Sequence, residues 1–186
     1  MVGNDIIDIE LAKSQSNWTR ARYLDKLFTK EEQEYIITAT NPSIMVWALW
    51  SMKEAAYKLY TQLHPSRFYN PKSFNCKLQQ PHQVIYKDFH CYVNTQITSD
   101  YVLSEARLDN CDMNSMVIEF QTQASQSHSQ ILHEKLIDVM SNRSHYDRTP
   151  LVLQKDSFGI PKIKYGQEEI NISLSHHGRF GTYTFI

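Results

Sequence analysis

Cysteine and glycine are scarce in this chain, and each shortage excludes a class of site. Three cysteines, Cys76, Cys91 and Cys111, occur in 186 residues without a CxxC pair, which argues against a disulfide framework and against a structural zinc site. The five glycines form neither a GxGxxG nor a GxxxxGK[ST] pattern, so the common nucleotide-binding loops are absent. If the protein handles phosphates, it does so with side chains and a metal.

Long hydrophobic runs and an excess of one charge are also missing. No apolar run approaches the roughly 18 residues that a membrane-spanning helix needs, and no basic segment followed by an apolar one marks a secretory signal. The chain is 41% hydrophobic and 21% charged, with a net charge of -1, whereas nucleic-acid binding needs a clustered basic surface. We therefore expect a cytoplasmic protein that binds neither membranes nor nucleic acid.

Residue periodicity predicts an α+β fold. A strand is predicted over 2–9, followed by helices over 17–26, from the Thr29–Glu32 capping box onward, and over 41–63. Asn41 and Pro42 start the long helix, and His64-Pro65 ends it. Short β-rich segments follow from residue 66, with one amphipathic helix at 129–142. We see no internal repeat and expect a single domain, 1–186, in which an antiparallel sheet packs against the long helix.

The first strand places acids among isoleucines, in the segment GNDIIDIE. On strand alternation, Asp5 shares a face with Ile7 and Ile9, whereas Asp8 points the opposite way. A carboxylate on a packed face needs a partner if it is to stay charged. Asp5 is therefore a candidate site residue, and we expect Asp8 to lie away from the same site.

Glu54 and Lys58 lie on the face of the long helix opposite its core stripe, and aromatic side chains surround them. One interpretation is an exposed ion pair at i,i+4 spacing on a surface helix. The other is a pocket lining, in which the Glu54 carboxylate needs a cation such as a bound metal. Asp5 and Glu54 together would suit Mg²⁺, which prefers oxygen ligands and completes its shell with water and phosphate oxygens.

The C-terminal segment SLSHHGR brings hydroxyl, imidazole and guanidinium groups together, from Ser175, His176, His177 and Arg179. Such donors suit phosphate oxygens. The structural alternative is a polar hairpin turn in which Gly178 supplies a positive φ. A zinc site at the two histidines would lack a third ligand at the usual spacing.

Together the segments GNDI, WSMKEAAYK and SLSH resemble the 4'-phosphopantetheinyl transferase superfamily. The family pattern is a G-x-D-I strand, a W-x-x-K-E-[AS]-x-x-K helix and a serine-histidine motif at a strand end. The serine-histidine motif comes last here, as in the shorter holo-acyl-carrier-protein synthase type, and Ile7 stands where the longer type has a second acid. The resemblance covers about 2–78 and 151–186 and leaves an unplaced insertion at about 79–150.

This resemblance implies that the protein transfers 4'-phosphopantetheine from coenzyme A to a serine of an apo acyl or peptidyl carrier protein, in fatty-acid synthesis or another carrier-dependent pathway. Asp5 and Glu54 would bind Mg²⁺, and Glu54 or a metal-bound water would be the general base. The implied catalytic residues are Asp5, Glu54 and Lys58. The implied coenzyme A contacts are Lys53, Lys58, Ser175, His176 and Arg179.

Resemblance to the synthase type also implies partner subunits. In that type the acid pair comes from one chain and the serine-histidine strand from its neighbour in a trimer, and we expect a homo-oligomer here. The alternative is that the insertion supplies the missing half within one chain. Arg20 and Arg22 lie in the region that meets the acidic carrier protein in relatives. Two alternatives stay open: a non-catalytic module of the same fold that binds carrier protein or coenzyme A, and a different Mg²⁺-dependent phosphate enzyme.

Overall fold

The computed structural model describes residues 1–67, 69–121, 127–143 and 151–186, and these parts of the chain have the expected α+β composition. The helices are α1 (Ile9–Gln15), α2 (Tyr23–Leu27), α3 (Lys30–Thr38), α4 (Pro42–Leu63) and α5 (His128–Arg143). The strands are β1 (Val2–Asp8), β2 (Asn75–Lys77), β3 (Gln83–Tyr86), β4 (Phe89–Ile97), β5 (Tyr101–Arg107), β6 (Met116–Glu119), β7 (Leu151–Lys155), β8 (Pro161–Tyr165), β9 (Glu168–His177) and β10 (Phe180–Phe185). No helix within the described ranges is long and apolar enough to cross a membrane.

The strands form two antiparallel sheets with the same topology. The first has the order β1-β5-β4-β3-β2 and the second the order β6-β10-β9-β8-β7. In each sheet the strand that comes first in the chain pairs with the one that comes last, and α4 and α5 contribute to the core of the first and second sheet respectively. The described parts of 79–150 supply β3, β4 and β5 to the first half and β6 and α5 to the second.

The long helix α4 has the limits that the sequence predicts. The side chain of Asn41 accepts a hydrogen bond from the N–H of Ile44, and Pro42 occupies the first turn. Leu49 and Leu59 are fully buried in the core of the first half. Buried residues continue around the rest of the helix. Because α4 is covered on more than one side, it is an internal element and not a surface helix.

Strand β1 is buried along its whole length, although it is an edge strand of the first sheet. It pairs with β5, packs on α4, and contacts β9 and β10 of the second half. A Cβ atom at Gly3 would lie 2.0 Å from the carbonyl oxygen of Ala55 in α4, so a side chain there would block this approach. Asp5, two residues further on, thus lies where α4 and the two halves meet.

The helix predicted over 17–26 is wrong in position. The Asp8 carboxylate accepts hydrogen bonds from the N–H groups of Glu10 and Leu11, so that α1 starts directly at the end of β1. Residues 18–22 form turns, and α2 begins only at Tyr23. Arg22 has a φ of 64°, a left-handed conformation that interrupts an α-helix.

Candidate active site

The Asp5 carboxylate joins three elements of the structure. Its Oδ1 atom accepts a hydrogen bond from the Ser175 hydroxyl of β9 at 2.8 Å and from the Lys58 ammonium of α4 at 3.1 Å. Its Oδ2 atom is buried and has no hydrogen-bond partner among the described residues. The structure therefore brings Asp5, Lys58 and Ser175 together, as the sequence predicts for residues of one site.

Glu54 lies one helical turn before Lys58 and is largely buried. Burial, together with the negative charge of Asp5, raises the pKa of Glu54 to about 7, while the Lys58 ammonium acts in the opposite direction. The Asp5 carboxylate is thus close enough to affect the ionisation of Glu54. A carboxyl group with a pKa near neutrality can gain or lose a proton at physiological pH.

Lys58 pairs with Asp5 across the boundary between α4 and β1. Its ammonium also donates to the carbonyl oxygen of Asn4 at 2.8 Å. The Lys58 side chain is 28% exposed and lines a cleft beside the site. The interpretation of Lys58 as one member of an exposed surface ion pair does not fit this position.

A cleft of about 310 Å³ opens between α4 and the second half of the molecule. Lys58 lines one wall, and Ser175 and His176 of β9 line another. His133 of α5 and Lys155 of β7 also line the cleft, and neither was identified from the sequence. Lys155 lies just before the Gly159-Ile160-Pro161 turn, but only the folded structure relates that turn to α4.

His176 lies beside the start of α5. Burial lowers the pKa of its imidazole, and the neighbouring His128 and Lys58 lower it further. Its Nε2 atom is 3.5 Å from the Ser129 hydroxyl. A neutral imidazole here can donate one hydrogen bond and accept another, which suits a polar ligand in the cleft.

Arg179 binds Asp8 at the far end of β1. The Arg179 backbone N–H and its Nε atom both donate to Asp8 Oδ2 at 3.0 Å, and the Asp8 N–H donates to His177 Nδ1. These partners differ from those of Asp5, in keeping with the opposite strand faces expected for the two acids. The structure does not bring Arg179 to the Asp5 carboxylate, and its expected contact with coenzyme A stays a prediction.

Lys53 is not brought to the cleft. Its side chain is fully buried, and its ammonium lies 2.7 Å from the carboxylate of Glu32, which is equally buried. It also donates to the carbonyl oxygens of Pro71 and Phe74. The expected role of Lys53 in phosphate binding does not fit this geometry, because a ligand would have to break a buried ion pair to reach it.

Comparison with known proteins identifies the family. The model of the 4'-phosphopantetheinyl transferase superfamily matches residues 1–108. The chain belongs to this superfamily. Four of the candidate residues lie inside the matched segment, namely Asp5, Lys53, Glu54 and Lys58, whereas Ser175, His176 and Arg179 lie outside it.

The similar members of the superfamily are holo-[acyl-carrier-protein] synthases. The chain is 40% identical over 57 residues to the synthase of Chlamydia caviae and, over the same length, to that of Chlamydia felis. Each alignment covers 31% of this chain, and the chain spans about half the length (47%) of the curated relatives it matches. The apo-ACPS structure from Chronobacterium ammoiniagenes is 15% identical, with a TM-score of 0.46, over 57% of this chain and 93% of that one.

The carboxylates fit the Mg²⁺ that resemblance to the superfamily implies. Asp5 Oδ2 is buried without a hydrogen-bond partner among the described residues, and burial, with a smaller effect from the Asp5 charge, raises the pKa of Glu54. Hard oxygen ligands of this kind suit Mg²⁺. Within the described ranges no group of three or more His, Cys, Asp or Glu side chains could hold a metal, so an ion here would have two protein ligands and complete its shell from water and substrate.

Proposed function

We propose that this protein transfers 4'-phosphopantetheine from coenzyme A to a serine hydroxyl of an apo acyl carrier protein. Membership of the superfamily and the activity named for its relatives support this reaction. The observation that carries the proposal is the convergence of Lys58 and Ser175 on the buried Asp5 carboxylate. Glu54 lies beside them, and the cleft opens next to them.

In the proposed reaction, the carrier serine oxygen forms a bond to the β-phosphorus of coenzyme A. The bond between that phosphorus and the oxygen bridging to the α-phosphorus breaks, and adenosine 3',5'-bisphosphate leaves. The serine hydroxyl proton needs an acceptor. The Glu54 carboxylate, beside Asp5, is the proposed acceptor.

Lys58 and β9 supply the contacts proposed for the coenzyme A phosphates. The Lys58 ammonium lies at the boundary between Asp5 and the cleft, where it can donate to pyrophosphate oxygens and stabilise negative charge on the leaving group. Ser175 and His176 offer hydrogen-bond donors from the adjacent wall. The basic side chains of His133 and Lys155 also line the cleft and are further proposed contacts for the coenzyme A phosphates.

Asp5 and Glu54 are the proposed holders of Mg²⁺. When bound, the ion would neutralise charge on the pyrophosphate as the phosphorus–oxygen bond breaks. Lys58 and Ser175 both donate to the Oδ1 atom of Asp5 and so hold this carboxylate in place. Lys53 and its partner Glu32 have a structural part only, since both are fully buried.

The carrier protein, its pathway and the subunit arrangement belong to the same proposal. The exposed Arg20 and Arg22 remain candidate contacts for an acidic carrier, the relatives' names give an acyl carrier protein as that carrier, and fatty-acid synthesis stays a prediction for the pathway. The trimer and the cytoplasmic location stay predictions. The contacts among Asp5, Lys58 and Ser175 form within one chain, and this supports a site that is complete without a strand from a neighbouring subunit.

Mass spectrometry of an apo carrier protein tests the proposal directly. The protein is incubated with apo acyl carrier protein, coenzyme A and Mg²⁺, and a phosphopantetheine adduct on the carrier serine is the expected product. Coenzyme A binding without any adduct on acyl or peptidyl carriers would favour the non-catalytic module. Phosphate release from nucleotides, without turnover of coenzyme A, would favour a different phosphate enzyme.

A further inference from the structure

The outer edge of β1 faces the second half of the molecule, where no strand of the described residues pairs with it. Buried backbone N–H and C=O groups need hydrogen-bond partners, and at this edge the partners are side chains. These side chains come from α4 and from β9, which both line the cleft. The hydrogen bonds along the edge of β1 therefore fix the positions of α4 and β9 relative to each other.

Alternate residues of β9 reach this edge. The buried Ser173 hydroxyl accepts a hydrogen bond from the Asn4 N–H at 2.9 Å. Ser175, two residues on, donates to Asp5, and His177 accepts from the Asp8 N–H at 3.0 Å. Since side chains two apart share one face of a strand, this face of β9 is attached to β1 at three points.

Gln62 makes the corresponding attachment from α4. Its Oε1 atom accepts from the Val2 N–H at 3.2 Å, and its Nε2 atom donates to the Val2 carbonyl at 2.8 Å. The same Nε2 atom donates to the Ile172 carbonyl of β9 at 3.0 Å. One amide group thus links α4, β1 and β9, one helical turn beyond Lys58.

We infer that Gln62 and Ser173 are positioning residues for the cleft. They hold α4 and β9 at a fixed separation through the edge of β1, and so keep Ser175 against Asp5 and set the space that coenzyme A enters. This inference rests on the proposed function. The sequence motifs do not include Gln62, and the helix motif ends four residues before it.

The test compares Gln62→Leu and Ser173→Ala with a matched control, Thr95→Val. The Thr95 hydroxyl bonds to Ser104 at 3.0 Å inside the first sheet, so its removal costs a hydroxyl contact without touching the boundary between α4 and β9. Two test variants are used so that, if one of them does not fold, the other still tests the inference. Steady-state transfer gives kcat and KM for coenzyme A, and hydrogen exchange with mass spectrometry reports on β1 and β9.

Both test variants should raise KM for coenzyme A about threefold to tenfold, as expected for the loss of one or two hydrogen bonds. Their kcat should stay within about twofold, because the catalytic groups are retained. Exchange should accelerate in β1 and β9 in both variants, and Thr95→Val should change neither measurement there. A KM rise of the same size in Thr95→Val would overturn the inference.

Failure of the proposed function gives a different result. If the wild-type protein transfers nothing to any carrier, that function is wrong, and hydrogen exchange alone decides the inference. Faster exchange confined to β1 and β9 in the two test variants would still support the attachment of the cleft walls. Unchanged exchange, or acceleration spread evenly over both sheets, would overturn it.

Discussion

At the scale of single residues, the two oxygens of Asp5 have different surroundings. Oδ1 accepts hydrogen bonds from Lys58 and Ser175, whereas Oδ2 is buried with no partner among the described residues. A buried carboxylate oxygen without a partner is costly. Together with the raised pKa of Glu54, this arrangement supports the proposal that Asp5 and Glu54 bind Mg²⁺.

Glu54→Gln keeps the side-chain shape and removes its charge. Because the pKa of Glu54 is raised from 4.5 to about 7 in the folded protein, the metal-free fold binds a proton more tightly than the unfolded chain between these pH values. Its stability should therefore fall by up to about 3 kcal/mol as pH rises through this window. Urea unfolding with a chelator at pH 4 to 8 should show the fall in wild type and not in the variant.

The same substitution should reduce transfer to carrier protein at least about 100-fold, the usual contribution of a general base. Circular dichroism should show an unchanged fold, which separates loss of chemistry from loss of structure. Turnover close to that of wild type would remove Glu54 from the mechanism.

Asp8→Asn should affect stability more than transfer. Burial acts to raise the pKa of Asp8, but hydrogen bonds from Arg179 outweigh it and lower the pKa to about 2. The contribution of Asp8 to stability is therefore present above about pH 4 and lost as pH falls toward 2. At pH 7 the variant should lose about 1–3 kcal/mol in urea unfolding, and at pH 2 the difference should shrink. A loss of transfer as deep as that of Asp5→Asn would contradict the separation of the two sites.

At the scale of secondary-structure elements, α4 carries two adjacent residues, Lys53 and Glu54, that have different roles. Lys53 binds Glu32 of α3 in the interior, while Glu54, the next residue, lies beside Asp5. The Glu32 carboxylate also accepts from the Thr29 and Cys76 N–H groups. Lys53 and Glu32 therefore tie α4 to α3 and to the start of β2, and this support holds the helix that carries the site.

Lys53→Met should be strongly destabilising. It leaves the buried Glu32 carboxylate without its cation, for which a loss of about 3–5 kcal/mol is expected. Lys30→Met is the matched control: Lys30 also pairs with an acid, Asp25, but both side chains are exposed, so about 1 kcal/mol or less should be lost. Equal losses in urea unfolding, or a raised KM for coenzyme A at unchanged stability, would restore Lys53 as a ligand-binding residue.

Gly3→Ala tests the close approach of β1 to α4. The added Cβ would lie 2.0 Å from the Ala55 carbonyl oxygen and 2.7 Å from the Leu59 nitrogen, so both elements must shift, at a cost of about 3 kcal/mol. In the control, Gly166→Ala, the new methyl group would contact no other atom, but the φ of 60° is strained for alanine. We expect this variant to lose about 1–2 kcal/mol of stability. Thermal unfolding compares them; a Gly3→Ala protein as stable as wild type would disprove this packing.

Local sequence signals predicted where helices α3 and α4 begin. Backbone conformation and contacts between residues distant in sequence determined the features that the sequence did not predict. Asn41, Pro42 and the Thr29–Glu32 capping box were sufficient to place α4 and α3, because caps act within one turn. The helix expected over 17–26 was wrong because Arg22 adopts a positive φ. Lys53 was misassigned because its partner Glu32 is 21 residues away in sequence, a pairing that no motif reveals.

At the scale of the whole molecule, the site draws on both halves of one chain. Asp5, Glu54 and Lys58 come from the first half, and Ser175 and His176 come from the second. Resemblance to the shorter synthase type implies that a neighbouring subunit supplies the serine-histidine strand. Here the Ser175–Asp5 hydrogen bond forms within the chain.

Mixing two inactive variants distinguishes these arrangements. Glu54→Gln and Ser175→Ala proteins are unfolded together and refolded as a mixture, so that any oligomer contains both. With sites built within one chain, no molecule regains an intact site, and transfer should equal the average of the separate variants. Recovery of a substantial fraction of wild-type transfer would show that sites form between chains.

The two halves share a strand order but not the side chains that matter for chemistry. Asp8 and Glu119 end β1 and β6, and they pair with Tyr101 and Phe180, the first residues of β5 and β10. Met116 lies three positions before the end of β6, as Asp5 does before the end of β1. Met116 is therefore the residue of the second half at the position equivalent to Asp5. A thioether is a poor ligand for a hard cation, so the second half has no counterpart of the Asp5 carboxylate at this position, and its strand β9 lines the cleft beside the first half instead.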